Sequence, residues 1–203
     1  MGLTTGLSIT CPDLQRTGGI SQIFLRTWDS TDIITFATTA GTNHAISSIK
    51  KGAADADWLM YEFKDETPTL NVTASKENGS TSFDCVLSFY IPRMSSAKYA
   101  VLQEMLDTCM MGLVVDTNDK VYVIGASNKY SVGAPAAGTG ASTAQIARSQ
   151  TYLNLTSMEG QTGAAYSEEN GITVVLTARQ FELPRLYSGT LTPDLAASTA
   201  TTD

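Results

Sequence analysis

The chain is poor in the residues on which most catalytic and metal sites are built. It holds a single histidine, His44, and three cysteines, Cys11, Cys85 and Cys109, in 203 residues. Zinc sites assembled from several histidines or cysteines are excluded by count. A Ser-His-Asp or Cys-His arrangement would have to use His44, yet no G-x-S-x-G turn presents a serine nucleophile. Three cysteines far apart and odd in number make neither a disulfide framework nor a CxxC metal motif. They read as buried free thiols in a reducing compartment. The N-x-[ST] sequons at Asn71, Asn78 and Asn154 read as chance products of a Ser/Thr-rich chain without a secretion signal.

Charge is also scarce. Only 16% of residues are charged and 8% aromatic, and the net charge is −7. A surface of this sign repels a polyanion, so it argues against sequence-reading contact with nucleic acid, which needs clustered Lys and Arg on phosphates. The opening MGLTTGLSITCPDL lacks the basic flank and apolar stretch of a secretory signal, which is the expectation for this segment. No run approaches the ~18 apolar residues of a spanning helix. The apolar fraction of 42% is nonetheless that of an ordinary globular protein, and the length suits one buried core. Threonine, serine, alanine and glycine fill the place of charge. That composition fits a β-rich protein whose outer surface is largely covered by copies of itself.

Strand signals dominate along the chain. Residues 1–18 read as an N-terminal arm, 19–189 as one β domain and 190–203 as a loose C-terminal tail. GGISQIFLRTW opens the domain with a strand, and DIITF, AISSI and DWLMYEF follow. Leu70, Val72 and Ala74 alternate with polar residues up to Asn78-Gly79, after which Phe83, Cys85, Leu87, Phe89 and Ile91 alternate as far as Pro92. Asn-Gly takes positive φ at both central positions, so this is a hairpin, and one face of its second strand lies on the core. The spacing of Val101, Leu102, Met105, Leu106, Cys109 and Met110 predicts one flanking α-helix over 95–111, capped at Ser95 or Ser96 and ended by Gly112 in the left-handed conformation. LVVDTNDKVYVIG reads as a second hairpin, turning at Asn118-Asp119. Residues 130–150 contain almost no large apolar side chain and read as a long flexible loop. The fold class expected is mainly β, an antiparallel β-sandwich or barrel with one flanking helix.

Four stretches invite a chemical reading. SMEGQTGAAYSEENGITVVL (157–176) combines glycines with Glu159, Glu168 and Glu169 and suggests a phosphate or metal cradle. Its glycines lack the following helix that gives a phosphate loop its dipole. Glu168 and Glu169 are adjacent and, if extended, point to opposite faces, so they do not form a catalytic pair, although Glu159 or Asp116 remain as possible partners. Gly160 and Gly163 then read as bends in an interface loop, and Asn170-Gly171 as a turn feeding the strand 172–176. Gly138-Thr139-Gly140 lacks the third glycine of a dinucleotide fold, and Lys51-Gly52 does not match a P-loop. Asp116-Thr117-Asn118-Asp119 starts like a calcium loop without its central glycine or closing Glu. No catalytic residue, cofactor or metal is expected.

The order of features resembles the tail tube proteins (major tail proteins) of bacteriophages. The likeness lies mainly in LVVDTNDKVYVIGAS (113–127) and MEGQTGAAYSEENGITVVL (158–176), within 18–187. It implies a structural virion protein without catalysis, six copies of which close into a ring. Stacked rings then form the tail tube, a conduit for genome delivery. The implied partners are further copies of the chain, a sheath or terminator protein, a tape-measure protein, and DNA passing without specificity, with no membrane. The implied location is the phage tail, assembled in the host cytoplasm. The extended stacking hairpin of such tubes would fall on 58–91. Other readings of the same residues are a head-to-tail ring, a capsid accessory protein, the tube of an injection device, a carbohydrate- or receptor-binding β-domain, and a hydrolase using Glu or Asp.

Overall fold

The run Met110–Asp116 (β8) has no polar side chain before its last residue, so a strand formed from it must be covered on both faces, and it is: every residue from Met110 to Val115 is buried. The computed structural model describes residues 18–29, 32–37, 45–51, 54–55, 57–126, 144–146, 151–163, 169–191 and 193–194. Around β8 the described strands are Ile20–Thr27 (β1), Asp32–Phe36 (β2), Ala45–Lys51 (β3), Ala54–Asp55 (β4), Trp58–Tyr61 (β5), Thr69–Glu77 (β6) and Ser80–Pro92 (β7). After β8 come Val121–Ile124 (β9), Ala144–Ile146 (β10), Leu153–Gln161 (β11), Gly171–Gln180 (β12), Arg185–Tyr187 (β13) and Pro193–Asp194 (β14), with one helix, α1, over Ser96–Leu106.

These strands hydrogen-bond as one branched mixed sheet that folds into two layers. One layer is the four-stranded antiparallel sheet β6-β7-β12-β11. The other runs β5-β1-β8-β9-β13-β3-β2-β10, antiparallel except where β13 meets β3. A single paired position, Leu153 with Met110, joins the layers. Register explains the core. Across β1, β8 and β9 the row Leu25–Gly112–Ile124 faces the four-stranded layer, and the next row, Phe24–Leu113–Val123, faces the other way. The first side packs on Cys85, Leu87 and Phe89 of β7 and Ile172, Val174 and Leu176 of β12. The second is closed by Ile34, Phe36, Ile46, Ile49 and Trp58 as the long layer curls over. The mainly β, sandwich-like class expected from the sequence is the class observed.

Within that frame several boundaries differ from expectation. The helix ends at Leu106, and Asp107 caps it with φ −102°, so 107–111 is not helical and Gly112 is a strand residue. The run CMMGLVV fits either period, and two-sided burial decides for a strand. Only Leu102 and Met105 are buried on α1, while Val101 and Leu106 are 42% and 46% exposed, so the apolar stripe is narrower than its spacing implies. Ser95 does cap the first turn, accepting from the Lys98 N–H at 3.3 Å. Residues 58–61 pair with β1 in the other layer, so the long hairpin spans 69–92 rather than 58–91. Its turn has φ of 48° at Asn78 and 79° at Gly79, as an Asn-Gly hairpin requires. Ala144–Ile146, within the stretch read as a loop, pairs with β2, and Pro193–Asp194, within the stretch read as a tail, pairs with β5. Residues 1–17, His44, Cys11, Gly138–Gly140 and the rest of 127–150 and 195–203 lie outside the described residues.

One buried ion pair fixes the end of β1 to the start of β2. Arg26 Nη2 donates to Asp32 Oδ1 at 2.6 Å, Asp32 Oδ2 accepts from the Asp29 N–H, and the guanidinium lies 5.7 Å from the Trp58 ring centre. Burial raises the Asp32 carboxyl above its ordinary value, and the attraction of Arg26 offsets part of that rise. Asp32→Ala strands a buried cation and should cost about 3–5 kcal/mol, read as the loss of unfolding free energy in urea. Gly112→Val is the sharper packing test. A Cβ there would meet Ile124 Cγ1 at 2.9 Å and Leu25 Cδ2 at 3.2 Å, so overpacking should remove about 1–3 kcal/mol or more, while Gly18→Ala, where a Cβ meets nothing within 4 Å, should change stability far less.

Candidate functional site: two open edges and a bare sheet face

The chemistry suggested by 157–176 is not gathered by the fold. Gly160 is a strand residue of β11 opposite Ile172, not a bend, and Gly163 lies beyond the end of β11 with φ of 71°. Gly171 opens β12 rather than a turn. A Cβ there would lie 2.4 Å from the Ile91 carbonyl oxygen and 2.5 Å from Tyr90 Oη, so glycine is required by close packing against β7. Glu159 stands on β11 and Asp116 at the end of β8 in the other layer. Glu169 pairs with Lys64, which also lies over the Tyr90 ring, and Glu168 is outside the described residues. The Asp116 carboxylate accepts from the Asn118 and Lys120 N–H groups, both at 2.8 Å, and closes the β8–β9 hairpin. Among the described residues no group of three or more His, Cys, Asp and Glu converges to hold a metal, and no helix is long and apolar enough to cross a membrane.

What the fold does leave open is backbone. The four-stranded layer ends in β6 on one side and β11 on the other. Among the described residues β6 pairs with β7 alone, and β11 beyond Leu153 pairs with β12 alone. Counting back from the hairpin turn, Glu77 and Ser80 form a hydrogen-bonded pair, so the odd-numbered residues of β6 bond to β7. The N–H and C=O groups of Leu70, Val72, Ala74 and Lys76 therefore point away from the sheet. Edge strands of nine residues with unpaired backbone are templates for another chain. Neither edge was legible from the sequence, because alternation marks a strand without saying which side has a neighbour.

The two faces of this layer also differ. Inward rows are apolar, as in Leu70–Leu87–Leu176–Leu155. Outward rows are built from hydroxyls and amides: Thr69–Ser88–Val175–Ser157, then Asn71–Val86–Thr177–Asn154, then Thr73–Asp84–Arg179. Thr156 sits in the bulge of β11, its hydroxyl bonded to the Val175 carbonyl and 2.9 Å from the Thr177 hydroxyl. No second layer covers this face among the described residues. Under the inward side of β6 the sandwich stays partly unfilled, leaving a groove of about 1230 Å³ between Leu70, Val72 and the β8–β9 hairpin, with Leu183 and Pro184 at its margin. The chain enters the described fold at Gly18, on the wall of this groove.

Cys85 takes no part in either feature. It is fully buried, donates to Gln180 Oε1 at 3.0 Å, and is pushed up to about 12 by burial and then by the nearby Asp84 charge. Gln180 Nε2 in turn donates to the Ala126 carbonyl. Compared with models of known protein families and with curated proteins, the chain matches none. The raised thiol has a definite consequence for alkaline stability. Above pH 9 the unfolded chain releases the Cys85 proton while the folded chain keeps it. The folded state then binds more protons, and stability falls as pH rises from 9 toward 12. Urea midpoints measured across that range should decline, and Cys85→Ala should flatten the decline; an unchanged slope would contradict the assignment.

Proposed function

We propose that the protein is a structural subunit that closes into rings by pairing β6 of one copy with β11 of the next, and that stacked rings form the tube of a phage tail. One observation carries the reading: among the described residues β6, and β11 beyond Leu153, each pair on one side only, and the strand directions of the four-stranded sheet alternate. Rotation about a ring axis preserves direction, so β11 of one copy meets β6 of its neighbour antiparallel. The edges are therefore complementary to each other, which is the condition for a head-to-tail contact that closes. Closure satisfies the outward backbone groups of β6 and removes the edge hazard.

Geometry also favours which face lies inside. Each copy carries its second layer and α1 on the inward-row side of the sheet. That bulk needs the larger circumference, so the bare face turns toward the axis. Strands about 4.8 Å apart give a sheet of six such copies a circumference of roughly 115 Å before tilt, enough to enclose a channel wider than a nucleic-acid duplex. The channel wall would be hydroxyls and amides with few charges, a surface on which a polyanion gains no counterion-release binding. Genome conduction suits that wall, and the same sheet would equally serve a head-to-tail ring or an injection tube.

The test is to block one edge without disturbing the fold. Ala74→Pro removes an outward N–H of β6 and leaves the β7 ladder intact. The variant should stay folded, with a thermal midpoint within a few degrees of the parent, yet sediment as a monomer at concentrations where the parent assembles. A variant that still assembles would rule out β6 as the joining edge.

A further inference from the structure

The bare face of the four-stranded layer carries one basic side chain among its outward rows, Arg179, against three carboxylates, Glu77, Asp84 and Glu159. Among the side chains of these rows it is the one whose planar guanidinium offers a phosphate two parallel donors; Lys64, which lies over the Tyr90 ring, is paired with Glu169. The guanidinium is not presented free. Arg179 lies directly across from Asp84 in the β12–β7 register, its Nε is 3.7 Å from Asp84 Oδ1, and its Nη2 donates to Ser82 Oγ at 3.1 Å. Ser82 is nearly buried beneath it. The guanidinium is thus laid along its own sheet beside a carboxylate, with side-chain exposure of 64% for Arg179 and 42% for Asp84.

We infer that Asp84 and Ser82 act as a mask on Arg179, and that the mask keeps the inner wall from holding a duplex phosphate backbone. This rests on the ring reading above and adds to it a residue and a purpose. Ring closure is what gives the mask its weight. One exposed pair matters little to a monomer, but every copy places the same arginine at the same height, so unmasking creates a belt of cations around one level of the channel. Each phosphate the belt engages releases a counterion and steepens the salt dependence of binding by about 0.9 log units per log unit of salt. The carboxylate therefore serves transit rather than folding, and its neutral isostere should expose the difference without unfolding the sheet.

The experiment compares assembled parent, Asp84→Asn and the double variant Asp84→Asn/Arg179→Gln, each imaged to verify rings and each mixed with a short fluorescent DNA duplex at low salt. Asp84→Asn should bind the duplex at least ~10-fold more tightly than the parent, and binding should fall steeply as salt rises. The double variant should return to the parent's level, as should Asp84→Asn protein kept unassembled by the added Ala74→Pro. Rings of Asp84→Asn that ignore the duplex, or that bind it equally after Arg179→Gln, overturn the mask and leave the ring reading standing. A parent and variants that never assemble overturn the ring reading, and the mask with it.

Discussion

Two-sided burial of β8 is the constraint from which the rest of the architecture follows. A strand with Met110, Met111, Leu113, Val114 and Val115 on its two faces needs a hydrophobic partner above and another below. The chain supplies them by curling one long layer over the first face and laying a separate four-stranded sheet on the second. Gly112 makes the second contact close, because Leu25 and Ile124 converge on the space a side chain would fill. With its apolar residues spent on these two interfaces, the protein has little left to cover the far side of the four-stranded sheet. That side is faced with threonine, serine and asparagine, and among the described residues β6, and β11 beyond Leu153, have no second neighbour.

Much of this was legible in the sequence, and the failures are physical ones. Period-two alternation located β6 and β7, and Asn78-Gly79 fixed their turn, because those signals are local. The Asn118-Asp119 turn was equally local, sealed by the Asp116 carboxylate. The helix was found but drawn five residues too long, since CMMGLVV is apolar at every spacing and only the second layer shows that it is extended. Gly160 and Gly171 looked like loop glycines. They are strand glycines, one opposite Ile172 and one against Tyr90, and that proximity is a tertiary fact. The cradle suggested by 157–176 dissolved for the same reason: its carboxylates separate once the chain pairs.

The candidate surface was the least legible part. Composition pointed to a chain covered by its own copies, but not to which strands join them. Edge identity depends on strand order, and the order β6-β7-β12-β11 brings together segments far apart in the chain, as with Leu70 and Leu155, 85 residues apart in one shared row. Arg179 and Asp84 are likewise 95 positions apart and meet only in the β12–β7 register. The low charge noted at the outset gains a meaning here. On the proposed reading, a wall past which a polyanion moves is better built from hydroxyls than from either sign of charge.

The central claim is that β6 and β11 of neighbouring copies join into one continuous sheet around a channel. Electron cryomicroscopy of the purified protein at high concentration tests it most directly. The account predicts hollow rings or tubes whose innermost layer is an unbroken antiparallel barrel, with β6 of each copy hydrogen-bonded to β11 of the next and Arg179 on the channel wall. Monomers that stay dispersed, or rings joined through any other strands, would contradict it.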